Sequence, residues 1–216
     1  MPTFLRLYED ILAGGADEMR LPALPRMIFV VHGAATIGGQ TVADGEAWAG
    51  EGAITVVPGQ PGVTVWRFEL AADGAAAGAI GGVSRLKLSA TLDETLPKGE
   101  LLLRGDSVAF PPGGCAYLHR HQGPGIRCLI EGGIRIDTHG RSTSYGPGGA
   151  WYESGPDGVF AQGAMDRSSR FIRVMILPRA LIGKSSIEYL NEADKAKPKS
   201  QSYKIFADLP IAFRAS

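Results

Sequence analysis

A turn of Pro111-Pro112-Gly113-Gly114 runs straight into Cys115-Ala116-Tyr117-Leu118-His119-Arg120-His121. A tight turn feeding a short β-like run is the pattern that most restricts what this chain can become. Gly and Pro are the strongest breakers of regular structure. Thirty glycines and 14 prolines in 216 residues suit many short strands and tight turns better than a helical bundle. An all-β fold is therefore expected. Residues i and i+2 of a strand point to the same face, so His119 and His121 turn both imidazoles one way. Neutral imidazole is the commonest ligand for transition metals. The pair is thus either a metal half-site that needs further ligands or an ordinary surface or core pair.

The wider stretch from Asp106 to Glu153 resembles the cupin superfamily. The first motif of that family is a glycine, five residues, His-x-His, three or four residues, a glutamate, six residues and a glycine. Gly113, His119, His121 and Gly132 fall on those positions, while the glutamate column falls on Gly125 or Ile126. The second motif is seen in Gly140 and in Pro147-Gly148-Gly149-Ala150-Trp151-Tyr152-Glu153, with the histidine column on Val159. The resemblance covers residues 100 to 180 closely. It implies a jelly-roll β-barrel and a divalent transition metal (Fe, Zn, Mn, Ni or Cu), with two of the family's ligands missing. Oxygenation, isomerisation, decarboxylation and lyase chemistry all occur on this fold, so the fold does not choose a reaction.

Lys+Arg and Asp+Glu balance at 22 each, and nothing basic points to nucleic acid. No apolar run approaches the length of a membrane span or a signal peptide, which predicts a cytoplasmic protein with no membrane partner. Cys115 and Cys128 read as reduced, small packing residues.

Along the chain, Phe4, Leu5, Tyr8, Ile11 and Leu12 stand at spacings of three and four, which predicts an N-terminal helix over residues 3–13. From Met19 to Leu70 the texture is β. This half echoes the second: Ile28–Gly33 resembles Arg127–Gly132, Gly45–Trp48 resembles Gly149–Trp151, and Val63–Leu70 resembles Arg170–Leu177. The echo implies a degenerate two-cupin chain. Its first half, residues 1–75, would lack ligands because Arg20 and Pro22 hold the histidine places. Residues 71–82 are the linker candidate, 83–180 the ligand-bearing barrel, and 181–216 an extension that packs on the barrel or on a partner. Within it, Ser185 or Ser186 is placed to cap a short helix through Asn191, and Tyr203–Phe213 is apolar enough to support a homodimer.

Glu153 is the nearest carboxylate to complete a metal site, and is equally readable as a surface residue. His139 reads as an exposed turn residue and His32 as a hydrogen-bonded structural one. Counting by two from the glutamate column gives Gly125, Arg127 and Leu129. Arg127 therefore either enters the barrel, where it needs a carboxylate from Glu153 or from a ligand, or lies outside after a one-residue slip. Tyr117, Trp151 and Phe160 are the expected remaining pocket wall. Two functional classes stay open: a metal-dependent small-molecule enzyme, such as a dioxygenase acting on an organic acid, and a non-catalytic binding protein whose metal site has decayed.

Overall fold

The computed structural model describes residues 2–72 and 82–213, and these are almost entirely antiparallel β. The chain divides into two compact units, Met1–Asp93 with Ile211–Ser216, and Glu94–Pro210.

The first unit is one seven-stranded sheet of β1 (Thr3–Leu12), β2 (Met19–Leu21), β3 (Arg26–Ile37), β4 (Gln40–Ala43), β5 (Ala47–Gly50), β6 (Ile54–Ala72) and β7 (Val83–Thr91). Its order is β4-β3-β6-β1-β7, with β2 joining β6 and β5 joining β3. Ile28, Val30, Val56, Val63 and Val65 pack with Leu12, Met19 and Leu21 as its apolar core. Alternation along β3 and β6 places Arg26, Arg67 and Glu69 on the face that carries Ile28, Val30 and Val65. The register of β1 against β6 adds Tyr8 and Asp10 to that face. The result is a buried chain of alternating charge. Asp10 Oδ2 meets Arg67 Nε at 2.6 Å, Arg67 NH1 meets Glu69 Oε2 at 2.5 Å, and Glu69 Oε1 meets Arg26 Nε at 2.9 Å.

Several expectations need correction here. The N-terminal helix is strand β1. Leu5 and Leu7 are buried on one of its faces and Tyr8, Asp10 and Leu12 on the other, so a strand covered on both sides mimics helical spacing. The linker expected at 71–82 lies for the most part, residues 73–81, outside the described residues. The strand from Val83, expected to open the second barrel, instead pairs with β1 and ends the first sheet. On β2 the buried positions are Met19 and Leu21, while Arg20 faces solvent, so the inward sites are apolar and shifted by one from Arg20 and Pro22.

The second unit holds two five-stranded sheets. Its strands are β8 (Leu101–Phe110), β9 (Cys115–His121), β10 (Gly125–Glu131), β11 (Ile134–Thr138), β12 (Arg141–Tyr145), β13 (Ala150–Glu153), β14 (Val159–Gly163), β15 (Ser169–Pro178), β16 (Ile187–Tyr189) and β17 (Ser202–Ile211). The orders are β13-β10-β15-β8-β17 and β12-β11-β14-β9-β16. Val108, Phe110, Ala116, Leu129, Ile136, Trp151, Val159, Ala161 and Phe171 form the apolar core of this barrel. The helix expected to end at Asn191 is β16, because the backbone of β9 from His119 to His121 pairs with Ile187–Tyr189; one helical turn, α1 (Glu192–Lys195), follows.

One pairing pattern occurs in both units. Ile28 stands opposite Trp48 and Arg67, and Arg127 stands opposite Trp151 and Arg173. Val30 exchanges backbone hydrogen bonds with Gly45 and Glu46, and Leu129 does so with Gly148 and Gly149. Gly33, within β3, and Gly132, just past β10, have φ of 84° and 80°, and a Cβ on either would meet a backbone oxygen at 2.2 Å. In this register Arg67 matches Arg173, one residue away from the sequence alignment of Val63 with Arg170.

Candidate ligand site in the second barrel

Strand parity decides which side chains enter this barrel. Across the first sheet one inward row reads Trp151, Arg127, Arg173, Asp106, and the next reads Glu153, Gly125, Met175, Arg104. The glutamate column of the cupin motif therefore faces inward as Gly125, and Arg127 faces inward beside it. A Cβ on Gly125 would lie 2.5 Å from the Val174 carbonyl oxygen and 3.1 Å from Arg127 NH1. The missing side chain thus makes room for the guanidinium, whose NH1 donates to the Gly125 carbonyl at 2.7 Å.

From the facing sheet, β9 brings in His119 and His121, each about 5% exposed, with ring centroids 4.9 Å apart. The Tyr117 carbonyl accepts from His119 Nδ1 at 2.6 Å, which leaves Nε2 as a bare acceptor. His121 Nε2 is 3.8 Å from Glu153 Oε2, and its Nδ1 is 3.4 Å from Ser186 Oγ. Glu153 is engaged at both oxygens: Trp151 Nε1 donates to Oε1 at 2.9 Å, and Arg127 NH2 sits 2.8 Å from Oε2. The latter contact has the distance of an ion pair without the alignment of a hydrogen bond. Both of its atoms therefore keep unused hydrogen-bonding capacity. Beside them Arg173 forks onto Asp106 at 2.9 and 2.7 Å.

Burial governs the protonation of these groups. Desolvation lowers the pKa of His119 and takes that of His121 well below the ordinary imidazole value, so both are neutral near pH 7. Desolvation also brings Arg127 down to about 10, against the pull of Glu153, and still leaves it charged. The Asp106 carboxylate outweighs desolvation at Arg173 and holds its pKa up. A histidine whose folded pKa is depressed binds its proton more readily when unfolded. Stability is then complete above about pH 6.5 and is lost as pH falls below it, by at most about 2 kcal/mol per imidazole at pH 5. Urea midpoints at pH 8, 6 and 5 should fall in that order, and less steeply in His121→Gln.

The groups surround a cavity of about 20 Å³, room for about one water. Its wall includes His119, His121, Arg127, Glu153 and Arg173, with Ile187, Gln201 and Tyr203 from the C-terminal stretch. Two expected wall residues are not there. Between Ala161 and Val159 the pairing of β14 with β9 shifts register, so Ala116, His119 and His121 share the inward face and Tyr117 is turned out, where it lies under the ammonium groups of Lys197 and Lys199. Phe160 alternates with the inward Val159 and Ala161 and lies on the outer face. Trp151 is in the apolar core and reaches the site only through its hydrogen bond to Glu153. His139 is in an exposed turn with φ of 50°, and His32 is exposed beside Asp44 rather than structural. Arg173, Asp106 and Gln201 were missed, although an arginine inside Phe171-Ile-Arg-Val-Met-Ile-Leu177 was a legible signal.

Neither known family profiles nor curated proteins match this sequence. Solved structures do. Oxalate decarboxylase from Bacillus subtilis at pH 4.6 superposes with a TM-score of 0.59 at 14% identity, over 89% of this chain and 72% of its own. A mutant of the same enzyme gives 0.63 at 13% identity, over 89% and 73%. AerE from Microcystis aeruginosa gives 0.57 at 12% identity, over 81% and 88%. The fold is that of the cupins. At these identities the likeness concerns the fold alone.

The cupin motif explains the backbone better than it explains the donors. Gly113, Gly132, Gly140 and Gly148 all have positive φ, so the motif glycines are kept for their turns. Among the described residues, no three His, Cys, Asp or Glu side chains are grouped to hold a metal ion. The chemistry of the donors agrees with this: the one carboxylate near the two histidines has an indole N–H on one oxygen and a guanidinium against the other. A fixed cation stands against Glu153, and the three residues do not fit a three-ligand metal site.

Proposed function

We propose that this chain is a small-molecule-binding cupin whose second barrel carries a closed, arginine-paired polar site in place of a metal centre. The observation that supports this reading most directly is the 2.8 Å contact between Arg127 and Glu153 beside two neutral histidines. The guanidinium supplies the positive charge that a divalent ion would bring, but it offers N–H donors instead of open coordination positions. Such a site orients and holds a polar ligand without activating dioxygen or polarising a carbonyl as a Lewis acid. The repeated strand pairing supports a two-cupin chain in which the first barrel, with Met19 and Leu21 at its inward β2 positions, is structural.

Elemental analysis of wild type and of His119→Ala/His121→Ala should find sub-stoichiometric metal in both. One ion per chain in wild type, lost in the double variant, would instead favour the metal-dependent enzyme. We also propose a homodimer, supported by β17, an edge strand with Tyr203 half exposed and Ile205 58% exposed. Light scattering at micromolar concentration should give twice the chain mass; the monomer mass would exclude it.

A further inference from the structure

Three buried polar atoms at this cavity lack an aligned hydrogen bond: Arg127 NH2 and Glu153 Oε2, which face each other at 2.8 Å as an ion pair, and Gln201 Oε1, which has no partner. Buried polar groups are otherwise nearly always paired. Their convergence on one small space marks that space as a place for a polar occupant. Its chemistry can be read from the wall. Glu153 Oε2, Gln201 Oε1 and the bare Nε2 of His119 are acceptors, and Arg127 NH2 is the donor. One of the two N–H groups of the Gln201 amide donates to the Tyr189 hydroxyl at 3.3 Å.

The charges point the same way. Arg127 faces Glu153 and Arg173 is forked onto Asp106, so each guanidinium at the cavity already has its carboxylate. A second carboxylate would find no free cation. It would lie against Glu153 and leave the acceptors of the wall unsatisfied.

We propose that Gln201 is a ligand-binding residue and that the ligand is an uncharged molecule with two or more N–H or O–H donors, such as a primary amide. This rests on the metal-free reading of the site and departs from the small carboxylate that the sequence suggests. An occupant larger than a water requires part of the wall to move. Tyr203, half exposed on the edge strand β17, is the most exposed residue of that wall.

Acetamide against acetate, and formamide against formate, are pairs matched in size that differ in charge and donors. Titrated into the full chain with EDTA present, the amides should bind at least tenfold more tightly than the carboxylates. Gln201→Leu, which keeps the shape and removes the acceptor, should weaken acetamide about tenfold. In wild-type protein acetamide should also shift the Gln201 side-chain amide resonances, a readout that survives if the variant fails to fold. Equal or tighter carboxylate binding in EDTA would overturn the inference while leaving a metal-free binding site in place. Absence of amide binding, an unchanged Gln201→Leu affinity or unmoved Gln201 resonances would overturn it too. Uptake of one ion at His119 and His121 would remove the underlying reading as well.

Discussion

Arg67→Met should cost the first unit most of its stability, about 5 kcal/mol or more. Arg67 and Asp10 are both 0% exposed, and the variant strands Asp10 and one oxygen of Glu69 in the core without a cation. Breaking one buried ion pair by removing a partner costs about 3–5 kcal/mol. Here a single arginine serves two carboxylates, and whole domains are stable by only about 5–15 kcal/mol. Urea unfolding followed by circular dichroism should show the first unit largely unfolded before denaturant is added. Adding Asp10→Asn and Glu69→Gln should recover much of the loss, since the stranded charges would be gone. A penalty below about 1 kcal/mol for the single variant would mean that the four charges are not paired in the folded protein.

The second large effect belongs to Arg127→Met, and it has two parts. Glu153, 8% exposed, would keep the Trp151 hydrogen bond and lose its cation, so folding stability should drop by about 3 kcal/mol. The same change releases Glu153 Oε2, 3.8 Å from His121 Nε2, and His119 keeps a free Nε2 on the same cavity. Three metal donors then share one space, and the one guanidinium left on its wall, Arg173, is held by Asp106. The variant should take up about one zinc per chain and regain stability as zinc is added, while wild type does neither. Elemental analysis and thermal unfolding with and without zinc check both parts. Should wild type and variant take up zinc equally, the guanidinium is not what blocks the site. A double-mutant cycle with Glu153→Gln should show a coupling of about 2–3 kcal/mol between the two residues.

Local chemistry made much of this legible. Turn glycines and prolines, with apolar runs between them, were enough for an all-β chain, and the Pro-Pro-Gly-Gly turn placed the His119 and His121 strand correctly. The motif spacing was enough for the fold because glycines at 113, 132, 140 and 148 are required by backbone angles that other residues resist. Counting by two from Gly125 put Arg127 on the same strand face, since a strand has only two faces, but a one-residue slip would have turned that face outward.

What the sequence could not settle depended on partners distant along the chain. Strand β1 looked helical because its two faces are buried by different neighbours, and no local window shows that. Tyr117 left the cavity because a register shift against β14 moved the alternation, and a shift is a property of two strands together. Ile187 and Gln201 reach the site from segments 66 and 80 positions beyond His121, through strand pairing and loop closure that no local motif records. Above all, the sequence by itself put two histidines on one strand face, and left Arg127 inside or outside the barrel and Glu153 a ligand or a surface residue. Only the tertiary structure decided that the arginine lies against the glutamate, because the free space beside Gly125 fixes where a guanidinium can go.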